Sequence, residues 1–368
     1  MLTNQQSFCH GPFIRAFVLP NGLYRDCCAT VPALLSQDYD FDQWWFNNNN
    51  FNKLRKKLLN TQSFPAQCST CRISEQASNT SFRLSLNKIP ITKELAYPKE
   101  WSIMFGNICN LACWHCSEDF SSRIENDKLK INVLPENFKS PAAEFELRWP
   151  ALKNKILQSY EHHNIVTLSL LGGEPTYNKI VIDFLIFLYE NNLSNRTRLE
   201  ITTNGTRSSK LSSILTKENW NYIYVAISID AVGAKAEWLR YGCNWNEIDR
   251  NIDYYIEKTN YVELHSTVSI LNIFDLPDLS DYSKNKKVNL IVNYLKSPSY
   301  LALEHYDGPA VELNEKAFLD NGYIDYYHLL GTNPITGSYD QAKLYIKSFE
   351  SVRNLNVSFD PMIVGLVG

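Results

Sequence analysis

The chain has 368 residues, 44% of them hydrophobic and 20% charged, with a formal net charge of -3. That length exceeds a usual single domain and supplies ample chain to bury a core, while the slight acidity argues against a nucleic-acid surface, which shows as a basic excess. No apolar run approaches the roughly 20 residues of a membrane span, and MLTNQQSFCHGPF lacks the basic start and apolar stretch of a secretory signal, so the expected compartment is the cytoplasm.

Chain order begins with a cysteine-rich stretch. Residues 1–95 hold Cys9, Cys27, Cys28, Cys68 and Cys71, five of the nine cysteines, in turn-rich and Asn-rich text such as FNNNNFN. LPNGLYRDCC reads as a short hairpin, because Asn-Gly is a strong turn signal. In CSTC, Cys68 and Cys71 form a compact two-thiol clip. Grouped thiols in a reducing compartment point to metal or redox work rather than to disulfides. Cys9 and Cys27 with Cys68 and Cys71 supply enough thiolates for a complete iron-sulfur cluster. A structural zinc knuckle on the same four is also open, as is Cys28 in place of Cys27. KLRKKL around Arg55 has helical spacing and reads as a solvated face. None of residues 1–95 reads as barrel material.

From Glu100 the pattern changes. WSIMFGN is followed by CNLACWHC, in which Cys109, Cys113 and Cys116 can hold three irons of a four-iron cluster and leave the fourth iron bare. Structural zinc normally recruits two separated pairs instead. Five more apolar strands follow: VTLSLLG, LEITTN, YIYVAISID, VELHSTVSI and VNLIVNYL. The spacers PALKNKILQSYEHH, VIDFLIFLYENN, KLSSILTKENW and WNEIDRNIDYYIEK read as helices. Six strands alternating with helices predict an α/β fold with a parallel sheet. Several strands end in small or polar residues, Gly172-Gly173-Glu174 and Thr203-Asn204 among them, where a parallel barrel keeps its chemistry. Glycines let the backbone approach a ligand, and Glu174 can accept from an ammonium or favour a helix N-terminus. Asp230 binds locally or caps the next helix. His162 and His163 lack the HExxH spacing and read as surface; Cys243 reads as a lone buried thiol. The tail after residue 296 reads as a terminal helix, PITGSYDQAKLYIKSFESVRN, with loops.

The Cys triplet followed one strand later by GGE resembles the radical S-adenosylmethionine (radical SAM) superfamily, across residues 99–295. That resemblance implies a partial (β/α)6 TIM-like barrel at 96–295, followed by a C-terminal extension at 296–368. It also implies a 4Fe-4S cluster on Cys109, Cys113 and Cys116, with S-adenosylmethionine on the open iron. The implied cofactor contacts are Gly172, Gly173, Glu174 at the ammonium, Ser228 and Arg240 at the carboxylate, and Thr203 and Asn204 near the ribose. His115 falls where relatives carry an aromatic or large apolar residue beside adenine. The N-terminal set, Cys9, Cys27, Cys68 and Cys71, resembles a twitch or SPASM-type auxiliary-cluster module placed ahead of the barrel. Relatives of that kind carry FDQWWFN-like and LRKKLL-like stretches before a C-x2-C. The implied chemistry is reductive cleavage of S-adenosylmethionine to a 5'-deoxyadenosyl radical, which takes hydrogen from a peptide or sugar-like substrate in an oxidation that uses the second cluster. An electron donor such as flavodoxin or ferredoxin is the implied partner. A radical methylase or epimerase, or a cluster-bearing binding protein without turnover, are the alternatives.

Overall fold

The computed structural model describes residues 8–32, 34–35, 40–60, 64–78, 80–88, 96–308, 314–349 and 351–353. Its strands are β1 (Arg15–Val18), β2 (Tyr24–Arg25), β3 (Glu100–Met104), β4 (Ala112–Cys113), β5 (Val166–Leu171), β6 (Thr197–Thr203), β7 (Tyr222–Ser228), β8 (Arg240–Tyr241), β9 (Tyr261–Val268) and β10 (Asn289–Tyr294). One sheet runs β10-β9-β7-β6-β5-β3-β1-β2. All its pairings are parallel except that of β1 with β2. The six strands expected from Glu100 onward all form, as an open, partial barrel-like α/β sheet. Among the described residues the sheet does not close.

Alternation sets what each face does. Leu168, Leu199, Ile201, Ile223, Val225, Ile227 and Leu264 are all but fully buried, and they share one core with Phe184, Leu185, Leu188, Ile248, Ile252 and Tyr255. The last six come from the helices Lys179–Glu190 and Trp245–Lys258, whose apolar residues recur every three or four positions. The other sheet face carries polar groups instead. Arg15 bonds Glu100 (2.7 Å), Ser169 bonds Glu200 (2.7 Å), and Glu263 takes Tyr224 (2.7 Å), with His265 3.4 Å away.

Three expectations are corrected. The first 95 residues do contribute to the sheet: β1 pairs with β3 in register Arg15↔Glu100 to Val18↔Ile103. The expected hairpin supplies that strand, with Val18 opposite Tyr24 and Gly22 at a φ of 82°. Residues 209–219 form turns rather than a helix. Serines compete there for the backbone, as when Ser212 Oγ donates to the Ser208 carbonyl at 3.1 Å; Leu211 and Leu215 are nonetheless buried. Finally, Arg55 does not belong to a solvated face. It is 4% exposed, donates to the carbonyls of Pro12 (2.7 Å) and Trp45, and lies over the Phe51 ring at 3.9 Å.

Replacing Arg55 with Met leaves two buried carbonyls without donors. The expected cost is about 2–4 kcal/mol of stability, read from denaturant unfolding.

Candidate functional site

The loop that follows β3 carries the three cysteines at the C-terminal edge of the sheet, and the loop after β5 presses onto it. Gly173 has a φ of 55°, and a Cβ there would stand 2.3 Å from the Ile108 carbonyl oxygen. Gly172 (φ 74°) lies against Met104 at the end of β3, where a Cβ would meet the backbone at 2.9 Å. These glycines therefore admit the chain's own cysteine loop, which is the close approach the backbone requires here. Glu174 N then donates to Ile108 O at 2.8 Å.

Glu174 is fully buried and acts as a knot between strand ends. Its Oε1 accepts from Thr176 N (2.9 Å), Thr176 Oγ1 (2.7 Å) and Thr203 Oγ1 (2.7 Å), and its Oε2 from Asn204 N (2.6 Å). Burial pushes its carboxyl up while these donors pull it back. Asn204 reaches the cysteine loop in turn, donating to Asn110 Oδ1 at 2.9 Å, with Cys109 Sγ 3.9 Å away. Asn110 closes the circuit on Thr206 Oγ1 at 2.9 Å. Sequence reading missed Asn110, although it lies inside the CNLACWHC motif.

A second group holds the other side of the loop. Cys113 lies in β4, which pairs antiparallel with β8 and sets Cys113 opposite Arg240. Arg240 Nη1 lies 3.8 Å from Cys113 Sγ, and its Nε faces Asp230 Oδ2 at 2.8 Å. Burial alone would lower the Arg240 guanidinium; Asp230 and then Cys113 raise it above its ordinary value. Asp230 Oδ1 accepts from Thr267 N at 2.9 Å, and His115 Nδ1 lies 3.7 Å from Oδ2. The helix Gly233–Leu239 is entered through Val232, so Asp230 is not its cap. Ser228 sits half-buried at the end of β7, opposite His265. Cys243 is half-buried rather than buried, and His162 is exposed.

Arg353 was not legible in the sequence. Its buried side chain donates to Asp127 Oδ2 at 2.9 Å and lies over the Trp114 ring at 4.3 Å. Tyr345, in the helix Ser338–Ser348, donates to Trp114 O at 3.2 Å. The C-terminal residues thus brace the underside of the cysteine loop.

Burial first, then the neighbouring thiols, push Cys109 and Cys116 up, Cys116 to about 12. Cys113 is raised by burial and lowered by Arg240 and Arg353. The N-terminal thiols meet too: Cys9, Cys27, Cys68 and Cys71 line one cavity with Leu54, Leu58 and Arg83. Cys28 is exposed and outside that lining. Burial pushes Cys68 up to about 12, with Cys27 and Cys71 adding to it. Arg83 is held by Glu75 at 2.5 Å and bonds the Phe8 carbonyl at 2.8 Å. No helix among the described residues is long and apolar enough to cross a membrane.

Residues 103–278 match the model of the Radical SAM superfamily. That stretch is similar to a radical SAM domain. It opens within β3, spans the cysteine loop and the Glu174 knot, and ends in the helix Leu276–Lys286. The superfamily consists of enzymes and implies a 4Fe-4S cluster and S-adenosylmethionine. No curated protein matches the chain. Among solved structures the chain is similar to anSMEcpe with bound AdoMet (16% identity, 62% of this chain and 58% of that one, TM-score 0.42). It is also similar to Streptococcus suis SuiB bound to S-adenosylmethionine (17% identity, 79% and 59%, TM-score 0.38). A third likeness is to TYW1 with a lysine-pyruvate adduct bound (15% identity, 61% and 70%, TM-score 0.34). The chain spans less than two thirds of the length of anSMEcpe and SuiB.

Two outcomes follow for the radical SAM domain. Gly173→Ala forces a methyl into the Ile108 carbonyl at a positive φ, and should cost about 1–3 kcal/mol, read by denaturant unfolding. Asp127→Asn strands the buried Arg353 cation and should cost about 3–5 kcal/mol in the same unfolding measurement.

Proposed function

We propose that the protein is a two-cluster radical SAM enzyme that oxidises a polar substrate, peptide or sugar-like, held against the polar face of the sheet. The observation that carries this reading is the cysteine loop itself: one buried and two half-buried thiols at the C-terminal strand edge, inside the matched stretch, with a guanidinium and an amide directed at two of them. When bound, the cluster and S-adenosylmethionine supply a 5'-deoxyadenosyl radical.

The chain's own residues bind and orient. Cys109, Cys113 and Cys116 hold the cluster, and Arg240 and Asn204 favour thiolates on Cys113 and Cys109 by placing positive charge and an N–H beside sulfur. Around the cofactor, Gly172, Gly173 and Glu174 fix the floor through Ile108, with one acceptor direction left on Glu174 Oε2 for an ammonium. Ser228 and Arg240 would receive the cofactor carboxylate, Thr203 and Asn204 would serve the ribose, and His115 the adenine. Cys9, Cys27, Cys68 and Cys71, which line one cavity, would hold a second cluster, which would supply an electron acceptor for the oxidation. Among the described residues no three His, Cys, Asp or Glu side chains converge on a single-ion site.

Anaerobically reconstituted protein should hold about eight irons, the content of two four-iron clusters. Joint replacement of Cys109, Cys113 and Cys116 by Ala should remove about half of that iron and abolish 5'-deoxyadenosine formation. Joint Cys68→Ala and Cys71→Ala should remove the other half and leave dithionite-driven 5'-deoxyadenosine formation in place, in protein first shown to melt cooperatively. Purified protein carrying zinc and negligible iron would overturn the reading.

A further inference from the structure

We infer that Asp230 is a positioning residue of the cofactor site: it holds the Arg240 guanidinium so that one nitrogen is left facing the carboxylate of S-adenosylmethionine. The inference rests on the reading of Ser228 and Arg240 as the carboxylate contacts and names the residue that aims the arginine.

The Asp230 carboxylate has no capping duty. The helix Gly233–Leu239 is entered through Val232, yet Asp230 is 1% exposed, and a buried charge is costly unless it is paired and hydrogen-bonded. Half of the carboxylate is tied to the end of β9, where Oδ1 accepts from Thr267 N at 2.9 Å, with Ser266 Oγ 3.5 Å away. The backbone is tied to the same place. Asn272 Nδ2 donates to the Asp230 carbonyl at 3.1 Å, and Asn272 Oδ1 accepts from Ser269 N at 2.8 Å. Oδ2 is left for Arg240, whose Nε lies 2.8 Å from it; the contact is ionic, since neither atom is aligned for a hydrogen bond. His115 Nδ1, 3.7 Å from the same oxygen, is beyond hydrogen-bond reach.

Arg240 is held at two of its three nitrogens. Nη1 lies 3.8 Å from Cys113 Sγ, and Nε is taken by Asp230. A guanidinium is planar and its donors stand in a fixed fork, so two anchors settle the direction of the third nitrogen, Nη2, which has no partner among the described residues. Cys113 does not suffice alone, because a single contact leaves the fork free to turn about it. Register supplies the second argument. Ser228 lies opposite His265, and Asp230 bonds Thr267, two residues further along both chains, with Ile229 N donating to His265 O at 2.9 Å between them. The pairing of β7 with β9 thus carries on through Asp230. Because successive side chains alternate, Ser228 and Asp230 share one side of the sheet, about 7 Å apart along it. The hydroxyl that would meet the cofactor carboxylate and the carboxylate that aims the arginine are two positions of one strand end.

The test is equilibrium titration of the reconstituted full chain with S-adenosylmethionine and, separately, with decarboxylated S-adenosylmethionine, which lacks only the carboxylate. Iron content and a cooperative melt are recorded on the same samples. Asp230→Asn should weaken S-adenosylmethionine about tenfold or more, the worth of a hydrogen bond to a charged group, and the decarboxylated compound about twofold or less. Arg240→Ala should give the same pattern. The double variant should match Arg240→Ala in both affinities, because Asp230 acts through the arginine. The double variant also strands no buried cation, so where Asp230→Asn alone does not melt cooperatively, comparison of Arg240→Ala with the double variant reads the claim. The inference is overturned if Asp230→Asn keeps the parent's preference for S-adenosylmethionine, if it weakens both compounds alike, or if the double variant's preference falls below that of Arg240→Ala. A parent that holds iron but binds neither compound, or both alike, fails the reading of the carboxylate contacts, and the inference falls with it. A parent that prefers S-adenosylmethionine beside an indifferent Asp230→Asn fails the positioning role alone.

Discussion

The contact between Gly173 and the Ile108 carbonyl constrains everything around the cysteine loop. With only a hydrogen on residue 173, the loop after β5 comes close enough for Glu174 N to reach Ile108 O, and the Glu174 carboxylate is thereby drawn under the strand ends. There it gathers Thr176, Thr203 and Asn204, and Asn204 passes the connection back to Asn110 beside Cys109. Three segments distant in sequence are fixed by a single steric allowance. The circuit is complete within the protein, which is the condition for a precise site.

Charge is handled by one repeated device. Each cysteine set lies beside an arginine that is itself closed by a carboxylate: Arg240 with Asp230 and Arg353 with Asp127 at the barrel loop, and Arg83 with Glu75 at the N-terminal cavity. Burial drives the thiols upward, and the guanidinium opposes it, lowering Cys113 at the first site and Cys68 and Cys71 at the second. An arginine alone would be a costly buried cation, and a carboxylate alone would repel thiolates. The pair keeps the cation in place at tolerable cost and lets its field reach sulfur.

The barrel strands were legible because burial on the helix side demands apolar residues at every second position, a pattern that sequence carries openly. KLSSILTKENW misled because its leucines keep a helical spacing for burial while its serines bond the backbone into turns. β1 was hidden by brevity. Arg15–Val18 is one turn of alternation inside turn-rich text, and only its partner β3, 85 residues on from Arg15 to Glu100, shows it to be a strand. The cysteine loop and GGE were legible as residues, but the reason for the glycines was not: what they admit is backbone from Ile108. Asp230 and Arg240 were both visible, yet their pairing depends on β8 folding back on β4. Arg353 leaves no local signal, since its meaning lies in Asp127 and Trp114, more than 200 positions away.

The attachment of β1 to β3 also bears on how the two cysteine sets came to travel together. A strand pairs on both sides, and with the first hairpin gone β3 would present a bare row of N–H and C=O groups to other chains. The N-terminal region is thus the edge cover of the parallel sheet as well as the wall of the four-thiol cavity. A lineage that lost its need for the second cysteine set could discard the thiols one by one, but the polypeptide around them would have to stay.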